Sequence, residues 1–167
     1  MRNPLLHSAH SAQRALKLGY SLAELLTVIS IVGILATFSL PKLGKLRDKA
    51  KVSNATSRFT RTVMAARQAA IQRGKRSYFR SNGNSIWVIV DTTGTNADSV
   101  LISKAVNLST EYGVTVSPNG LVSIEYDPRG VSTQATKQLF AFTHTGSGYL
   151  DSLCVSRLGN TIRERCP

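Results

Sequence analysis

Apolar residues are most concentrated near the start of the chain. The sixteen residues from 25 to 40 carry no charge, and the only charge between Tyr20 and that run is on Glu24. A helix over residues 20–40 would extend about 32 Å at about 1.5 Å per residue, enough to cross a hydrocarbon core of about 30 Å. A cleaved secretory signal normally ends in an A-x-A-like pair of small residues, which this run lacks before Pro41. The pattern predicts a membrane-spanning helix at 20–41, and a simple signal anchor stays open as its interpretation.

A second helical pattern follows over residues 42–74. Apolar residues recur there at steps of three and four, and basic residues follow the same period on the opposite face. Pro41 removes one helical hydrogen bond, so we expect a kink or local melting where the two segments meet. Gly74 is a suitable C-terminal stop. The apolar face consists of Val52, Ala55, Phe59, Val63, Ala66 and Ala70, and the polar face of Arg47, Lys51, Asn54, Arg58 and Arg61.

From residue 78 onward the pattern becomes that of short strands separated by turns such as Pro-Asn-Gly and Gly-Ser-Gly. A sheet this small needs a covering layer, which the apolar face of the second helical segment can supply. The sequence therefore predicts an α+β fold in which a long N-terminal helix packs on a C-terminal antiparallel sheet domain at 75–167. The candidate strands are 86–91, 100–105, 113–117, 121–126, 138–143, 149–156 and 161–165.

The segment from 17 to 41, KLGYSLAELLTVISIVGILATFSLP, resembles the signal of type IV pilins and pseudopilins. The resemblance implies that residues 1–19 are a leader, which a prepilin peptidase removes after Gly19 before it methylates the new N-terminus at Tyr20. It also implies that Glu24 neutralises the N-terminal amine of a neighbouring subunit during filament assembly. The implied location is the bacterial inner membrane, with a cytoplasmic N-terminus, a periplasmic C-terminal domain and incorporation into a pilus or pseudopilus. The Lys and Arg count around the span favours the opposite orientation, and we follow the resemblance.

A second resemblance lies in the middle and at the end of the chain. The sequence IEYDPRG at 124–130 is similar to the F-x-P-x-G signature of the GspH/FimT minor pilin domain, and the segment from Cys154 to Cys166 resembles the final hairpin of that domain. In an oxidising periplasm these two cysteines are expected to form a disulfide. They are too few for a four-thiolate zinc site, so no metal and no cofactor is predicted.

Positive charge is concentrated in one segment of the chain, which indicates a possible binding surface there. The chain has 21 basic and 9 acidic residues, a net charge of +12. Residues 42–80 contain twelve basic residues and one acidic residue, whereas 81–167 contain six basic and seven acidic ones. A solvated helix face, anionic lipid headgroups, acidic partner subunits and nucleic acid could each account for this basic stem.

The tail offers a smaller basic site at Arg157, Arg163 and Arg165. In FimT-type minor pilins a C-terminal Gly-Arg-x-Arg motif binds duplex DNA, but here Gly159 is followed by Asn160 and the motif is broken. Arginines on a hairpin can still contact phosphates without reading sequence. Double-stranded DNA is therefore a candidate partner, and an ordinary solvated hairpin is the alternative.

No nucleophile elbow, phosphate loop or metal-ligand spacing occurs in the sequence, so we predict that the chain is not an enzyme. His144, at a strand end, is expected to be a surface or edge residue. The resemblance implies a minor pilin or pseudopilin that primes or tips a type IV pilus and contacts other major and minor pilin subunits. Two alternatives are a DNA receptor for natural transformation and the H-type pseudopilin of a type II secretion system.

Overall fold

The computed structural model describes residues 20–93 and 99–163, without the side chains of 38–42. The chain divides into two compact units, Met1–Leu40 and Pro41–Pro167. The helix α1, Leu22–Arg73, begins in the first unit, after the described residues Tyr20 and Ser21, and extends into the second. It continues through position 41, and the predicted kink there stays a prediction.

The first unit exposes an apolar helix surface. The hydroxyls of Thr27, Ser30 and Thr37 donate to backbone carbonyls three or four residues earlier, so they add no unpaired polar group to this surface. Among the residues that the structure describes, no helix is both long and apolar enough to cross a membrane. The predicted span at 20–41 reaches side chains outside the described set, and it stays a prediction.

In the second unit, α1 buries the face that its periodicity predicts. Val52, Ala55, Phe59, Val63, Ala66 and Ala70 are all fully buried. The helix ends at Arg73, followed by Gly74 at φ 60°, a left-handed conformation that glycine adopts without strain. The predicted apolar face and helix end are confirmed.

The described residues of the second unit also form two antiparallel four-stranded sheets, in the orders β3-β2-β1-β5 and β4-β6-β7-β8. The predicted α+β fold, a helix packed on antiparallel sheet, is confirmed, with two sheets in place of one. The strands are β1 Ser77–Asn82, β2 Ser85–Asp91, β3 Ser99–Asn107, β4 Val114–Ser117, β5 Leu121–Tyr126, β6 Gln138–His144, β7 Leu150–Val155 and β8 Thr161–Arg163, with a short helix α2 at Leu108–Tyr112.

Phe59 joins the helix to both sheets. Its ring centroid lies 4.8 Å from that of Phe79 on β1, 4.6 Å from Phe140 and 5.2 Å from Phe142, both on β6. Aromatic rings attract one another at such distances when they are tilted or edge-on. One side chain of the stem therefore fixes the positions of the two sheets relative to α1.

Two of these elements, β1 and α2, were not predicted from the sequence. Strand β1 lies in the middle of its sheet, and its pairing with β2 closes at Asn82 and Ser85 around a two-residue turn that contains Gly83 at φ 57°. The Gly83-Asn84 dipeptide of this turn is a hairpin signal that could have identified the strand. Helix α2 begins at Leu108 and ends before Gly113, and the side chain of the preceding Asn107 caps it by accepting hydrogen bonds from the backbone of Ser109 and Thr110.

Candidate functional site

The exposed face of the stem forms a basic surface between edges of the two sheets. Arg58 and Arg61 lie on this face, and three shallow cavities of about 360, 240 and 320 Å³ open beside them. The first two are bordered by α2 and β3, and the third by β7 and β8. Residues from those elements that line the cavities are Ser103, Lys104, Val106, Glu111, Tyr112, Leu153, Thr161 and Arg163.

Electrostatics around Arg58 and Arg61 are dominated by positive charge. Within the described part of the chain, neither guanidinium forms an ion pair. The acidic side chain of Glu111 shares the 360 Å³ cavity with both arginines. Partial burial and then a hydrogen bond with Glu111 raise the pKa of Tyr112, while the two arginines act in the opposite direction. The surface is therefore suited to bind carboxylate or phosphate groups.

Arg163, a predicted DNA contact, is held against the stem. Its Nη2 lies 3.4 Å from Asp151 Oδ2 on β7 and donates to Ser53 Oγ of α1 at 2.8 Å. Thr56 donates to the same carboxylate oxygen at 3.2 Å. These contacts connect β8 to the helix. Because the guanidinium of Arg163 is half-exposed, only part of it is accessible to a ligand.

The other two arginines predicted to contact DNA, Arg157 and Arg165, are not seen beside Arg163 in the described residues. Arg157 lies in the exposed turn between β7 and β8 and forms no ion pair with the described residues. Arg165 lies outside the described residues. Gly159 has a structural role in the same turn, since its φ is 80° and its carbonyl accepts the hydroxyl of Tyr126 at 3.0 Å. Burial raises the pKa of Tyr126 to about 12.

At the N-terminal end, Glu24 is in the first turn of α1, and its backbone N–H donates to the carbonyl of Ser21 at 3.0 Å. Tyr20 is 84% exposed, and Gly19 lies outside the described residues. Nine large apolar side chains follow along the helix, each at least half exposed. They are Leu22, Leu25, Leu26, Val28, Ile29, Ile31, Val32, Ile34 and Leu35. Glu24 thus lies at the beginning of an extended exposed apolar helix surface.

His144 corrects an expectation. The side chain is buried, not at the surface, with its Nε2 3.6 Å from Asp48 Oδ1 on α1. Its Nδ1 accepts the backbone N–H of Ser147 at 3.1 Å, which places the ring proton of the neutral form on Nε2, toward Asp48. His144 thus ties the β6–β7 hairpin to the stem, a contact between residues 96 positions apart that no local pattern indicates.

Cys154 is buried on β7, and Cys166 lies outside the described residues, so their predicted pairing stays a prediction. No group of three or more His, Cys, Asp or Glu side chains suited to a metal occurs among the residues with described positions. The helical period had already placed Arg58 and Arg61 on the exposed face of the stem. The cavities beside them could not be predicted, because residues distant in the sequence line these cavities.

Comparisons with known proteins identify one matching family and two similar crystal structures. Residues 55–159 match the family described as Type II transport protein GspH. Two crystal structures of the type IV minor pilin FimU from Pseudomonas aeruginosa are similar in fold, with TM-scores of 0.55 and 0.51 at 14% and 15% sequence identity. The similarity covers 72% and 68% of this chain and 92% of each FimU chain. No curated protein matches the sequence.

Proposed function

The chain belongs to the GspH family, and from this premise we propose that it is a non-catalytic subunit that assembles into a type IV pilus through its N-terminal helix. Prepilin peptidase processing after Gly19, methylation at Tyr20 and anchoring in the inner membrane by residues 20–41 are parts of the same proposal. The basic stem favours a pilus over the H-type pseudopilin position of a type II secretion system.

The observation that carries the proposal is the exposed apolar helix around Glu24. Such a surface requires a cover, either lipid or the equivalent helices of other subunits. A carboxylate near the centre of an apolar span costs about 2.5–3.5 kcal/mol, and somewhat less near an end, unless it finds a partner. The amine of a neighbouring subunit, freed by cleavage before Tyr20, is a partner of the required charge.

The test uses the full chain in a host that assembles filaments but lacks its own copy. The variants are Glu24→Ala and, as the matched control, Ser21→Ala, which changes an exposed polar side chain immediately before the helix. Both should lose residues 1–19, and only Glu24→Ala should be missing from sheared filaments. Normal incorporation of Glu24→Ala would refute the assembly role of Glu24.

Duplex DNA binding at the β7–β8 turn is a second proposal, supported by the exposed side chain of Arg157. Because Arg163 is already engaged by Asp151, Arg157 should contribute more than Arg163 to phosphate contacts. Titration of the full chain with a duplex at several salt concentrations tests this. Arg157→Gln should weaken binding and reduce its salt dependence, whereas the control Arg129→Gln should not; equal effects of the two would refute a site in the tail.

A further inference from the structure

Strand β3 has an irregularity that turns two consecutive side chains toward the stem. Val106 and Ser103 are three residues apart, yet they pair with residues of β2 that are only two apart, so β3 contains a bulge between them. In a regular strand Ser103 and Lys104 would point to opposite faces, but both line the 240 Å³ cavity beside α1. Such bulges redirect side chains and are common next to active sites, which makes this cavity a candidate site.

The bulge adds a third positive charge to this cavity. Arg58 and Arg61, which occupy neighbouring positions on the surface of α1, line it together with Lys104. Among the residues that the structure describes, no acidic side chain lines the cavity. Like charges at close range repel one another, so this arrangement becomes favourable when an anion lies between them. The Oγ of Ser103 accepts the backbone N–H of Val88 at 3.2 Å, which leaves its own proton to donate to such an anion.

The 360 Å³ cavity shares both arginines with the first cavity but has a different lining. Tyr112 and Glu111 of α2 border it, together with Asn54 and Ser57 of the stem. A carboxylate repels a phosphate, but it accepts hydrogen bonds from hydroxyl and amino groups. An aromatic side chain next to it offers a surface on which a base can stack. The two cavities therefore suit the two parts of one ligand, an anionic group and a polar ring.

Charge and size favour a small phosphorylated ligand over other anions. A phosphate monoester carries a charge of about −1.5 to −2 at pH 7, which matches three cations better than a single carboxylate does. Pockets for small ligands have volumes of about 300–1,000 Å³, and the cavity beside Tyr112 lies within that range. A duplex instead presents singly charged phosphates along its backbone, and its paired bases are not free to stack on Tyr112.

We propose that the cleft formed by these two cavities binds a mononucleotide. Arg58, Arg61 and Lys104 bind its phosphate group. The base lies against Tyr112, where Glu111 accepts hydrogen bonds from amino or hydroxyl groups. This binding function goes beyond filament assembly, because none of these residues belongs to the exposed apolar helix surface of the first unit.

Isothermal titration calorimetry of the full chain, in mild detergent and phosphate-free buffer, tests the proposal. The ligands are AMP, ribose phosphate, inorganic phosphate and adenosine, all at the same salt concentration. AMP should bind about tenfold more tightly than ribose phosphate or inorganic phosphate, because only AMP has a base to stack. Adenosine, which has no phosphate, should also bind at least about tenfold more weakly than AMP. If any of the other three ligands bound as tightly as AMP, the proposal would be wrong.

Two double variants locate the binding. Arg58→Gln/Arg61→Gln should weaken AMP binding by about tenfold or more, whereas Arg129→Gln/Lys137→Gln, an equal change in charge at exposed loop positions, should leave it unchanged. Equal losses in the two variants would overturn the proposal, since they would show that only the net charge matters. Displacement of AMP by duplex DNA at equal total phosphate would also overturn it, in favour of nucleic acid.

A charge-shift variant tests the role of the bulge. Lys104→Ala/Ala105→Lys keeps the net charge but moves the cation to an exposed residue outside the lining of the cavity, so AMP should bind severalfold more weakly. Tyr112→Ala should weaken the binding of AMP but not that of inorganic phosphate, and the retained phosphate binding shows that this variant is folded. Full affinity for AMP in either variant would contradict the proposed site.

Discussion

Phe59→Ala should be among the most damaging single substitutions in the second unit. The ring is fully buried and lies within about 5 Å of three other phenylalanine rings on two sheets. Replacing a buried Phe by Ala costs about 3–5 kcal/mol, with higher values where the cavity cannot collapse. Because strands on both sheets hold the cavity open, we expect about 4–5 kcal/mol, a large fraction of a typical domain stability of about 5–15 kcal/mol.

Equilibrium guanidinium denaturation of the full chain in mild detergent, followed by Trp87 fluorescence, measures this loss. Trp87 is the only tryptophan in the sequence and lies on β2, next to the strand that carries Phe79. Met64→Ala, a half-exposed apolar change on the same helix, should cost less than about 1 kcal/mol and serves as the control. If Phe59→Ala cost no more than Met64→Ala, the view that Phe59 joins the two sheets would be wrong.

Three further changes test the turn at the end of the chain. Gly159→Ala places a Cβ 2.3 Å from Tyr126 Cε1 at a residue whose φ is 80°, and it should lower the free energy of unfolding by about 2–4 kcal/mol. The control is Gly148→Ala, which also has a positive φ but lies in open space, and it should lower the free energy of unfolding by about 1 kcal/mol. The pKa of Tyr126 rises from 10 to about 12 on folding, so the protonated hydroxyl stabilises the folded state. This contribution to the free energy of unfolding is complete below pH 10, and about 2–3 kcal/mol of it is lost as the pH rises toward 12. Denaturation at several pH values should show this decline in the wild type and a smaller one in Tyr126→Phe. Reduction should destabilise the wild type by about 3 kcal/mol if Cys154 and Cys166 pair, but leave the Cys154→Ser/Cys166→Ser variant unchanged.

The sequence predicted what depends on local periodicity. The buried face of α1 could be read residue by residue, because the period of a helix brings Val52, Phe59 and Ala66 to one side. The family resemblance, confirmed by the match to GspH, rests on motifs of the same local kind. Strand β1 was missed because Arg80, Ser81 and Asn82 interrupt its apolar pattern.

Long-range contacts could not be predicted in this way. The partners of Arg163 are Asp151 on β7 and Ser53 on the stem, the latter 110 residues away. From the sequence alone, His144 is predicted to be a surface residue, because its contact with Asp48 on α1 is seen only in the folded structure. The division of the strands into two sheets also depends on which strands pair, and alternation within each strand contains no information on that choice.

The intact mass of the chain recovered from sheared filaments tests the proposed processing and assembly most directly. We expect a polypeptide that begins at Tyr20, carries one methyl group on its N-terminus and lacks residues 1–19. A chain that is absent from filaments, or that is present there with its first nineteen residues attached, would contradict the proposed function.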